Sequence, residues 1–470
     1  MTLKKVVILH DMRRADRITN AHYLRAFIRY SPPGKLVYSS IFGHLNEESL
    51  NADLVIVSYE LASLRNAPFW DKLVERMQPI LDSAKKRILI PQDDYTSCFA
   101  LDNFAVENNF DVIYTAVRED IDLLYPQSIR EKIRFEYACT GYAPDANDET
   151  FRALRTPLSV RPIDLGQRIR WLPPQFGVLG SRKAEITEYL AACAGLNSFN
   201  VDVSFAESDV FVGEKWFSFL ASSRFTTGRF GGASLADPLS KNADRVRRYM
   251  MRHPDKRVKD LSWLLKPRWS FEGNFSAISP RMFEAAALGT CQILERDKYF
   301  TNFEPWVHYV PLESDFSNIE EIMKVMKDID KAQLIADNCF ARIIASGDFS
   351  YKDFITGFYK RELNLPSNSQ PAELIDCDLI LDPGREIPSE LMDEVQKVMR
   401  RLVVRGKTTK VLRFSDFERY WGQTKSEKFC VAENLEVGFD LTSKWLKSWE
   451  EKSLIPESLL FNWAGISRNL

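Results

Sequence analysis

Residues 279–284 carry the side chains whose types and spacing most clearly suggest chemistry. Ser279 followed by Pro280 predicts a helix start, because serine is a good N-cap and proline suits the first helical position. Arg281 then falls in the first turn, beside backbone N–H groups without a partner inside the helix and at the positive end of the helix dipole, so a phosphate could be held there. Glu284 follows about one turn later, where its carboxylate could accept the two hydroxyls of a ribose.

Residues on either side of this segment support the same chemistry. Asn274 and Ser276 lie in the preceding loop, which we expect to deliver polar groups to the open helix start. Gly289 predicts the end of the helix, and residues 291–294 continue as a buried strand. The chemistry suggested is the binding of a nucleotide sugar.

The run 279–290 resembles the donor-site motif of GT-B glycosyltransferases of the retaining, sucrose-synthase-like type. Runs 216–237 and 308–312 are similar to bacterial glycosyltransferase-like proteins found with surface-polysaccharide synthesis. The resemblance covers roughly residues 160–363, with a weaker match in the first 150. It implies an enzyme that moves a sugar from a nucleotide-sugar donor to a glycan or lipid-linked acceptor.

One position departs from this family pattern. The family often has a second glutamate eight residues after the first, and Gln292 stands there in this chain. The departure leaves a CMP-linked donor open beside a nucleoside-diphosphate donor.

The order of apolar segments predicts an α/β fold with two doubly wound domains that face one cleft. A chain of 470 residues exceeds one ordinary core. Short buried-strand patterns alternate with helical stretches at 21–30, 69–85, 182–194, 216–222, 280–288 and 318–329. The strand patterns lie at 4–9, 52–58, 86–90 and 110–114, then near 160 and at 199–204, 291–294 and 307–310.

The resemblance turns this pattern into a GT-B domain plan. Residues 1–158 would form an N-terminal Rossmann-like acceptor domain, and residues 159–364 a Rossmann-like donor domain. A last helix at 351–363 would cross back to the first domain. After a linker at 365–372, we expect residues 373–470 to form a C-terminal α/β appendix of unassigned role.

Composition excludes several other classes of protein. Hydrophobic residues make up 45%, charged residues 27%, and the net charge is −2, which indicates a soluble globular protein and no nucleic-acid partner. The seven cysteines are widely spaced without a Cys-x-x-Cys pair, so we expect neither a disulfide framework nor a zinc site, and a cytoplasmic location. No apolar run approaches the roughly 18 residues of a membrane span, and the apolar run at 6–9 is too short for a signal-peptide core.

One local stretch is strongly basic. Residues 241–269 contain ten Lys or Arg against three Asp, a balance of +7. This pattern is typical of a solvated face, or of a basic rim that attracts an anionic donor, a lipid-linked acceptor or the headgroups of the inner membrane surface. Trp263 and Trp269 interleave with the charges and favour a peripheral membrane contact.

Three side chains are candidates for catalysis. Asp93 follows the strand ending at residue 90, where it could orient or deprotonate an acceptor hydroxyl, although an Asp there could equally cap the next turn. His10 follows the first strand, in the loop where the resemblance places the acceptor pocket. Asp237 ends a glycine-rich loop at 228–237 that the resemblance puts in the cleft, which makes it a candidate nucleophile or oxocarbenium stabiliser.

Four cations near the start of the second domain are candidates to neutralise the donor phosphates: Arg168, Arg170, Arg182 and Lys183. Because four residues are candidates for this single role, we expect most of them to be ordinary surface charges. We expect no metal and no cofactor besides the nucleotide-sugar co-substrate, because the resemblance implies that the leaving phosphate is held by helix N-termini and cations.

Two other functions remain open at this point. A nucleotide-sugar 2-epimerase has the same fold but needs a convergent acid and base in the cleft, which the sequence does not identify. A catalytically silent GT-B protein could act as a binding or assembly partner. The presence of both Arg281 and Glu284 favours the transferase.

Overall fold

The computed structural model describes residues 4–10, 18–32, 34–40, 47–66, 70–211, 213–253, 256–365 and 373–376. Within these residues the chain forms two all-parallel sheets, one of seven strands and one of five, and a two-stranded antiparallel ribbon. None of the described helices is long and apolar enough to cross a membrane.

The first sheet has the strand order β14-β2-β1-β3-β4-β5-β6. Its strands are β1 (Lys4–His10), β2 (Gly34–Ser40), β3 (Leu54–Val57), β4 (Arg87–Leu89), β5 (Val112–Thr115), β6 (Arg134–Tyr137) and β14 (Glu373–Asp376). Four of them confirm strand predictions, because a strand that is buried on both faces needs a continuous apolar run. Strand β2 was not predicted, since the polar Lys35 and Ser39 interrupt its apolar run.

Helices cover both faces of the first sheet. They are α1 (Ile18–Tyr30), α2 (Tyr59–Ala62), α3 (Trp70–Ser83), α4 (Cys98–Glu107), α5 (Ile121–Leu124) and α6 (Pro126–Arg130). Side chains of α3 and α4 pack on one face, as with Leu73 and Phe104. Helix α1 packs on the other face through Tyr23 and Phe27.

The second sheet has the strand order β13-β12-β9-β7-β8. Its strands are β7 (Ile163–Arg168), β8 (Val201–Ser204), β9 (Ser223–Gly228), β12 (Cys291–Glu295) and β13 (Val310–Leu312). The helices of this half are α7 (Glu149–Leu154), α8 (Gly177–Leu196), α9 (Glu214–Ala221), α10 (Lys241–Arg252), α11 (Pro280–Ala287), α12 (Ile319–Lys327), α13 (Ile329–Phe340) and α14 (Tyr351–Leu363). In both sheets the strand order reverses beside the first strand, as in doubly wound folds.

The antiparallel ribbon corrects one prediction. Residues 228–237 were expected to form a loop, but β10 (Gly231–Ala236) pairs with β11 (Phe271–Ala277). Ala233 and Ala236 of β10 are buried in the core of the first domain, where their small side chains allow close packing. The ribbon therefore links the second half of the chain to the first sheet.

Helix α14 crosses back to the first domain, as predicted. Its Phe354, Phe358 and Tyr359 are buried in the same core as β1 and α1. The Phe358 ring lies 5.8 Å from Phe27 in an edge-to-face arrangement. Just before the helix, the backbone N–H of Ala143 donates to the carbonyl of Phe349 at 2.8 Å. These contacts fix the position of the second sheet relative to the first.

The predicted C-terminal appendix is corrected at its start. Residues 373–376 form β14, which pairs with β2 and extends the first sheet, so these residues belong to the N-terminal unit. The linker residues 366–372 and the elements predicted beyond residue 376 lie outside the described residues. The domain boundary after residue 158 stays a prediction.

A buried carboxylate anchors the end of α14. The Glu362 side chain has no exposed surface, and it pairs with Lys86 at 2.8 Å and with Arg134. The buried Tyr114 hydroxyl also donates to it. Burial opposes ionisation, but hydrogen bonds from Lys86, Tyr114 and Arg134 outweigh it and hold the pKa of Glu362 below its usual value. This stabilisation is present above pH ~4.3 and is lost as the pH falls through the lower folded-state pKa.

Replacing Glu362 by alanine is expected to lower the free energy of unfolding by roughly 2–3 kcal/mol, because two cations and a buried hydroxyl lose their partner. The loss stays below that of a fully buried pair, since Lys86 and Arg134 are 26% and 42% exposed. Denaturant unfolding measures it. The control is Glu75→Ala, which removes an exposed pair with Lys72 and should change stability by less than about 0.5 kcal/mol. Equal losses in both variants would contradict a buried anchor.

Candidate functional site

A pocket opens at the carboxyl edge of the second sheet, between β7 and β9. This is the point where the strand order reverses, and open α/β sheets bind their ligands there. The pocket is lined by Gln167 of β7, by Thr227 and Arg229 at the end of β9, by Lys183 of α8, and by Ser279 and Arg281 at the start of α11. Side chains from four segments of the sequence therefore meet at one place.

Three cationic side chains converge on this pocket, and none of its described lining residues is acidic. Arg281 donates to the carbonyl oxygen of Arg168 at 2.6 Å, and its guanidinium lies 4.6 Å from the centre of the Trp216 ring. Arg229 is buried, and its Nη1 pairs with Glu295 at 2.8 Å. Burial, and then the charges of Arg281 and Arg229, lower the pKa of Lys183 to about 7. Such mutual repulsion is relieved when an anion binds.

The start of α11 has the predicted form. Ser279 occupies the N-cap position with an extended backbone, Pro280 takes the first helical position, and the Ser279 side chain makes no capping hydrogen bond. Arg281 and Met282 also line the pocket, so the first turn of the helix faces it. A helix start in this position favours an anion.

Trp216 of α9 ties the predicted donor residues together. Its indole N–H donates to the Oε2 atom of Glu284 at 2.8 Å, while its ring face receives the Arg281 guanidinium. Glu284 is buried on α11. Gln292, at the position of the family's second glutamate, donates instead to the carbonyl of Met282 at 3.1 Å and so supports the first turn of α11.

The other predicted cations lie outside the pocket lining. Arg168 pairs with Asp202 at 2.7 Å and lies 4.2 Å from the Phe219 ring. Arg182 pairs with Glu295 at 2.6 Å, beyond the pocket. Arg170 is half-buried two residues after β7 and is not part of the described lining. Of the four candidates, the structure therefore brings Lys183 to the pocket, and it adds Arg229, which the sequence analysis missed.

Asn274 and Ser276 also lie away from the pocket lining, in β11. The backbone N–H of Asn274 donates to Asp120 at 2.7 Å, and its side-chain amide donates to Glu119 at 2.9 Å. Both acidic residues follow β5 of the first sheet. The observed position of Asn274 is thus a junction between the ribbon and the first domain.

Asp237 accepts a hydrogen bond from the first turn of α10, although Ser240 is the N-cap residue of that helix. It is buried at the end of β10, and its Oδ2 accepts the backbone N–H of Ala243, in the first turn of α10, at 2.8 Å. Burial raises its pKa to about 6, against hydrogen bonds from that same turn. Its backbone N–H and carbonyl bond to Tyr95 and Ser97 at 3.0 Å each. The described pocket does not include Asp237, so this geometry favours a structural role over the predicted catalytic one.

The first sheet presents its own carboxyl edge on the other side of the cleft. His10 is buried at the end of β1, with its ring 5.5 Å from that of Tyr38. Asp93 is exposed after β4, and its Oδ1 accepts the Tyr95 hydroxyl at 2.6 Å. The positions of both residues are compatible with an acceptor edge, and their catalytic roles stay predictions.

Glu60 is a carboxylate that the sequence analysis missed. It lies buried just after β3, so it shares the switch point of the first sheet with His10. Burial raises the pKa of Tyr351, and the nearby carboxylates of Glu284 and Glu60 raise it further. Carboxylates from both halves of the chain therefore influence Tyr351. The sequence feature that could have identified Glu60 is an acidic residue directly after a buried strand.

Among the described residues, no group of three or more His, Cys, Asp or Glu is arranged to hold a metal ion. The five described cysteines, 98, 139, 193, 291 and 339, are all free thiols.

Comparisons with known protein families and with curated proteins find no match to this sequence. Among solved structures, HepE of Anabaena in complex with UDP and glucose is 11% identical, with a TM-score of 0.40 over 77% of this chain and 100% of that chain. Sucrose-phosphate synthase of Thermosynechococcus elongatus is 9% identical, with a TM-score of 0.40 over 77% and 99%. The OtsA apo structure is 8% identical, with a TM-score of 0.41 over 78% and 100%.

These similarities are too weak to carry an activity over to this chain. The fold follows from the chain's own topology: two parallel, doubly wound sheets whose carboxyl edges face one cleft, with a last helix that returns to the first sheet. This is the GT-B fold.

The capping role of Asp237 can be tested with two substitutions. Asp237→Ala should lower the free energy of unfolding by about 1 kcal/mol, because first-turn N–H groups of α10 lose their acceptor. Asp237→Asn should remain close to wild type, since asparagine caps a helix as well as aspartate does. Denaturant unfolding measures both. Retained stability together with a loss of turnover of more than ~10²-fold in Asp237→Asn would instead support the catalytic role.

The low pKa of Lys183 predicts a pH-dependent affinity for anions. As the pH rises through about 7, the free protein loses the Lys183 ammonium. A bound diphosphate favours the charged form, so binding takes up a proton above this pH and the affinity should fall, approaching tenfold per pH unit up to about pH 8.5. A nucleoside-diphosphate sugar is the suitable probe, because its phosphates do not titrate in this range.

Titration calorimetry at several pH values measures this slope. The matched control is Lys183→Gln, which should bind more weakly at pH ~6 and lose most of the pH dependence. A wild-type affinity that is constant from about pH 6 to 8.5 would place Lys183 away from the bound phosphates.

Proposed function

We propose that this protein is a glycosyltransferase that takes a nucleotide-sugar donor in the pocket between β7, β9 and α11. The sugar passes to a glycan or lipid-linked acceptor held at the carboxyl edge of the first sheet. The runs 279–290 and 216–237 support a setting in bacterial surface-polysaccharide synthesis, in the cytoplasm and with a peripheral contact to the membrane.

The convergence of Lys183, Arg229 and Arg281 at an open helix start is the observation that carries this proposal. Each cation comes from a different segment, and burial, followed by the charges of Arg281 and Arg229, lowers the pKa of Lys183. Glu295 already pairs with Arg229, and an anion bound in this partly desolvated pocket would relieve the repulsion that Lys183 experiences from the two arginines. The phosphates of a nucleotide sugar supply such an anion.

The same groups would assist sugar transfer. When the bond between the sugar and the phosphate breaks, negative charge grows on the departing phosphate oxygen. Arg281, Lys183 and the N–H groups of α11 are held in place before the reaction, so they can stabilise this charge without reorganisation. Glu284 would bind the ribose of the donor from the same helix. No metal is needed for these steps.

The number of cations favours a nucleoside-diphosphate donor over a CMP-linked one. A diphosphate carries two charged phosphates in the donor, which matches several cations better than the single phosphate of CMP does. Gln292 is engaged with the carbonyl of Met282, so its amide supports the helix start in place of a second carboxylate.

The acceptor would lie opposite, near His10, Glu60 and Asp93. The exposed Asp93 is the described carboxylate best placed for a soluble acceptor hydroxyl. A base in this role must come within hydrogen-bond reach of that hydroxyl when the cleft is occupied.

A binding screen across UDP-, GDP-, dTDP- and CMP-sugars tests the donor site. A ligand that binds the native state raises the melting temperature by mass action. Arg281→Gln is expected to weaken the affinity for the best ligand by about 10- to 150-fold, the equivalent of one charge-assisted hydrogen bond of roughly 1.5–3 kcal/mol. Calorimetric titration measures the loss.

Arg296→Gln is the matched control, because Arg296 pairs with Glu313 at 2.7 Å outside the pocket lining. It should leave the affinity unchanged. Equal affinities in both variants would contradict the donor site. Tight binding without release of free nucleotide from any donor, even with glycan acceptors present, would indicate a silent binding protein instead of a transferase.

A further inference from the structure

The segment between β10 and β11 forms a small unit of its own. Helix α10 is followed by short 3-10 turns, and the buried Val246, Met250, Leu261 and Leu264 make a separate apolar cluster. One end of the unit is held against the first domain, where the hydroxyls of Ser240 and Ser97 lie 2.5 Å apart. Because its apolar side chains are used internally, the unit can present a polar outer face at a fixed orientation.

Three cations form a stripe along the outer face of α10. Lys241, Arg248 and Arg252 are all exposed, and their spacings of seven and four residues place them on one side of a helix. None of the three forms an ion pair with a described residue. The nearby Asp244 pairs with Arg247 at 2.8 Å, on a different side of the helix. The stripe thus keeps its full positive charge.

An exposed tryptophan flanks this stripe. Trp263 is 61% exposed, and its ring packs edge-to-face against Tyr249 of α10 at 5.2 Å. Leu239, just before the helix, is 56% exposed. An aromatic ring that is held by a neighbour and still faces solvent can insert at the boundary between headgroups and acyl chains. We call Lys241, Arg248, Arg252 and Trp263 the basic ridge.

Charge around the basic ridge is almost entirely positive. Among the residues of this unit that the structure describes, the exposed charged side chains include one acid, Asp260, which pairs with Arg257 at 2.9 Å. Against it stand the exposed cations Lys241, Arg248, Arg252, Lys256, Arg257 and Arg268. The partner of this surface must therefore be anionic.

We propose that the basic ridge docks the protein on an anionic lipid bilayer. Lysine and arginine side chains are drawn to acidic headgroups, and a tryptophan side chain prefers the boundary between headgroups and acyl chains. A nucleic acid would satisfy the cations but offers no such boundary for Trp263 and Leu239, so the combination favours the bilayer. The inference rests on the peripheral membrane contact of the proposed function and names the surface that makes it. It is independent of the donor chemistry of the pocket, from whose described lining all four ridge residues are absent.

Vesicle co-sedimentation of the full chain tests this docking. Binding is expected to phosphatidylcholine vesicles that contain phosphatidylglycerol, and not to phosphatidylcholine alone. The triple variant Lys241→Gln/Arg248→Gln/Arg252→Gln should reduce partitioning on the order of 10²-fold, at about fivefold per cation, and added salt should weaken the wild type. The matched control removes three exposed lysines elsewhere, Lys324, Lys327 and Lys352, and should keep wild-type binding.

Trp263→Phe separates a bilayer from other polyanions. The chain has ten tryptophans, so the fluorescence change on adding anionic vesicles is compared between this variant and the wild type. Loss of the vesicle-induced blue shift supports insertion of Trp263. Equal partitioning of the charge-removed and control triple variants overturns the proposal. Binding of the wild type to a single-stranded oligonucleotide in preference to anionic vesicles also overturns it.

Discussion

The packing of α14 against the first sheet is the constraint on which the rest of the structure depends. The chain leaves the second sheet, returns across the cleft and buries Phe354, Phe358 and Tyr359 in the first core. The buried Glu362 carboxylate then ties the end of the helix to Lys86 and Arg134, which are partly exposed. Because this helix belongs to both halves, it fixes which edges of the two sheets face each other.

The facing edges of the two sheets explain where the polar candidate residues lie. All strands in each sheet run parallel, so their carboxyl ends meet at one edge, and the ends of the first strands lie at the points where the strand order reverses. Lys183, Arg229 and Arg281 meet at one of these points, and His10 and Glu60 lie at the other. Burial, and then the charges of Glu284 and Glu60, raise the pKa of Tyr351 at the start of α14.

The ribbon of β10 and β11 forms a second connection between the two halves of the chain. Its small residues pack into the first core, and Asn274 bonds to Glu119 and Asp120. Asp237 is used in the same junction, where it satisfies the first turn of α10. Residues that the sequence places near a ligand can therefore serve to hold two domains together, because a junction and a ligand site both select buried polar side chains with good hydrogen-bond geometry.

The return of α14 to the first domain was implied by the family resemblance. The sequence by itself determined the α/β class, most strands and helices of both sheets, and the helix start at Ser279 and Pro280. These features rest on local patterns, since an apolar run, a cap or a proline acts within a few residues. Strands β2, β6 and β9, the ribbon and the pairing of β14 were not predicted, because strand pairing depends on partners that are distant in the chain.

Only the tertiary structure decided which charged residues reach the pocket. Arg168, Arg182 and Lys183 look equivalent in the sequence, yet two of them end in ion pairs with Asp202 and Glu295 and the third lines the pocket. Arg229 and Glu60 were likewise identified as candidates only from their positions in the tertiary structure. The position of a side chain at a sheet edge depends on strand order and helix docking, and these are properties of contacts between residues far apart in the chain.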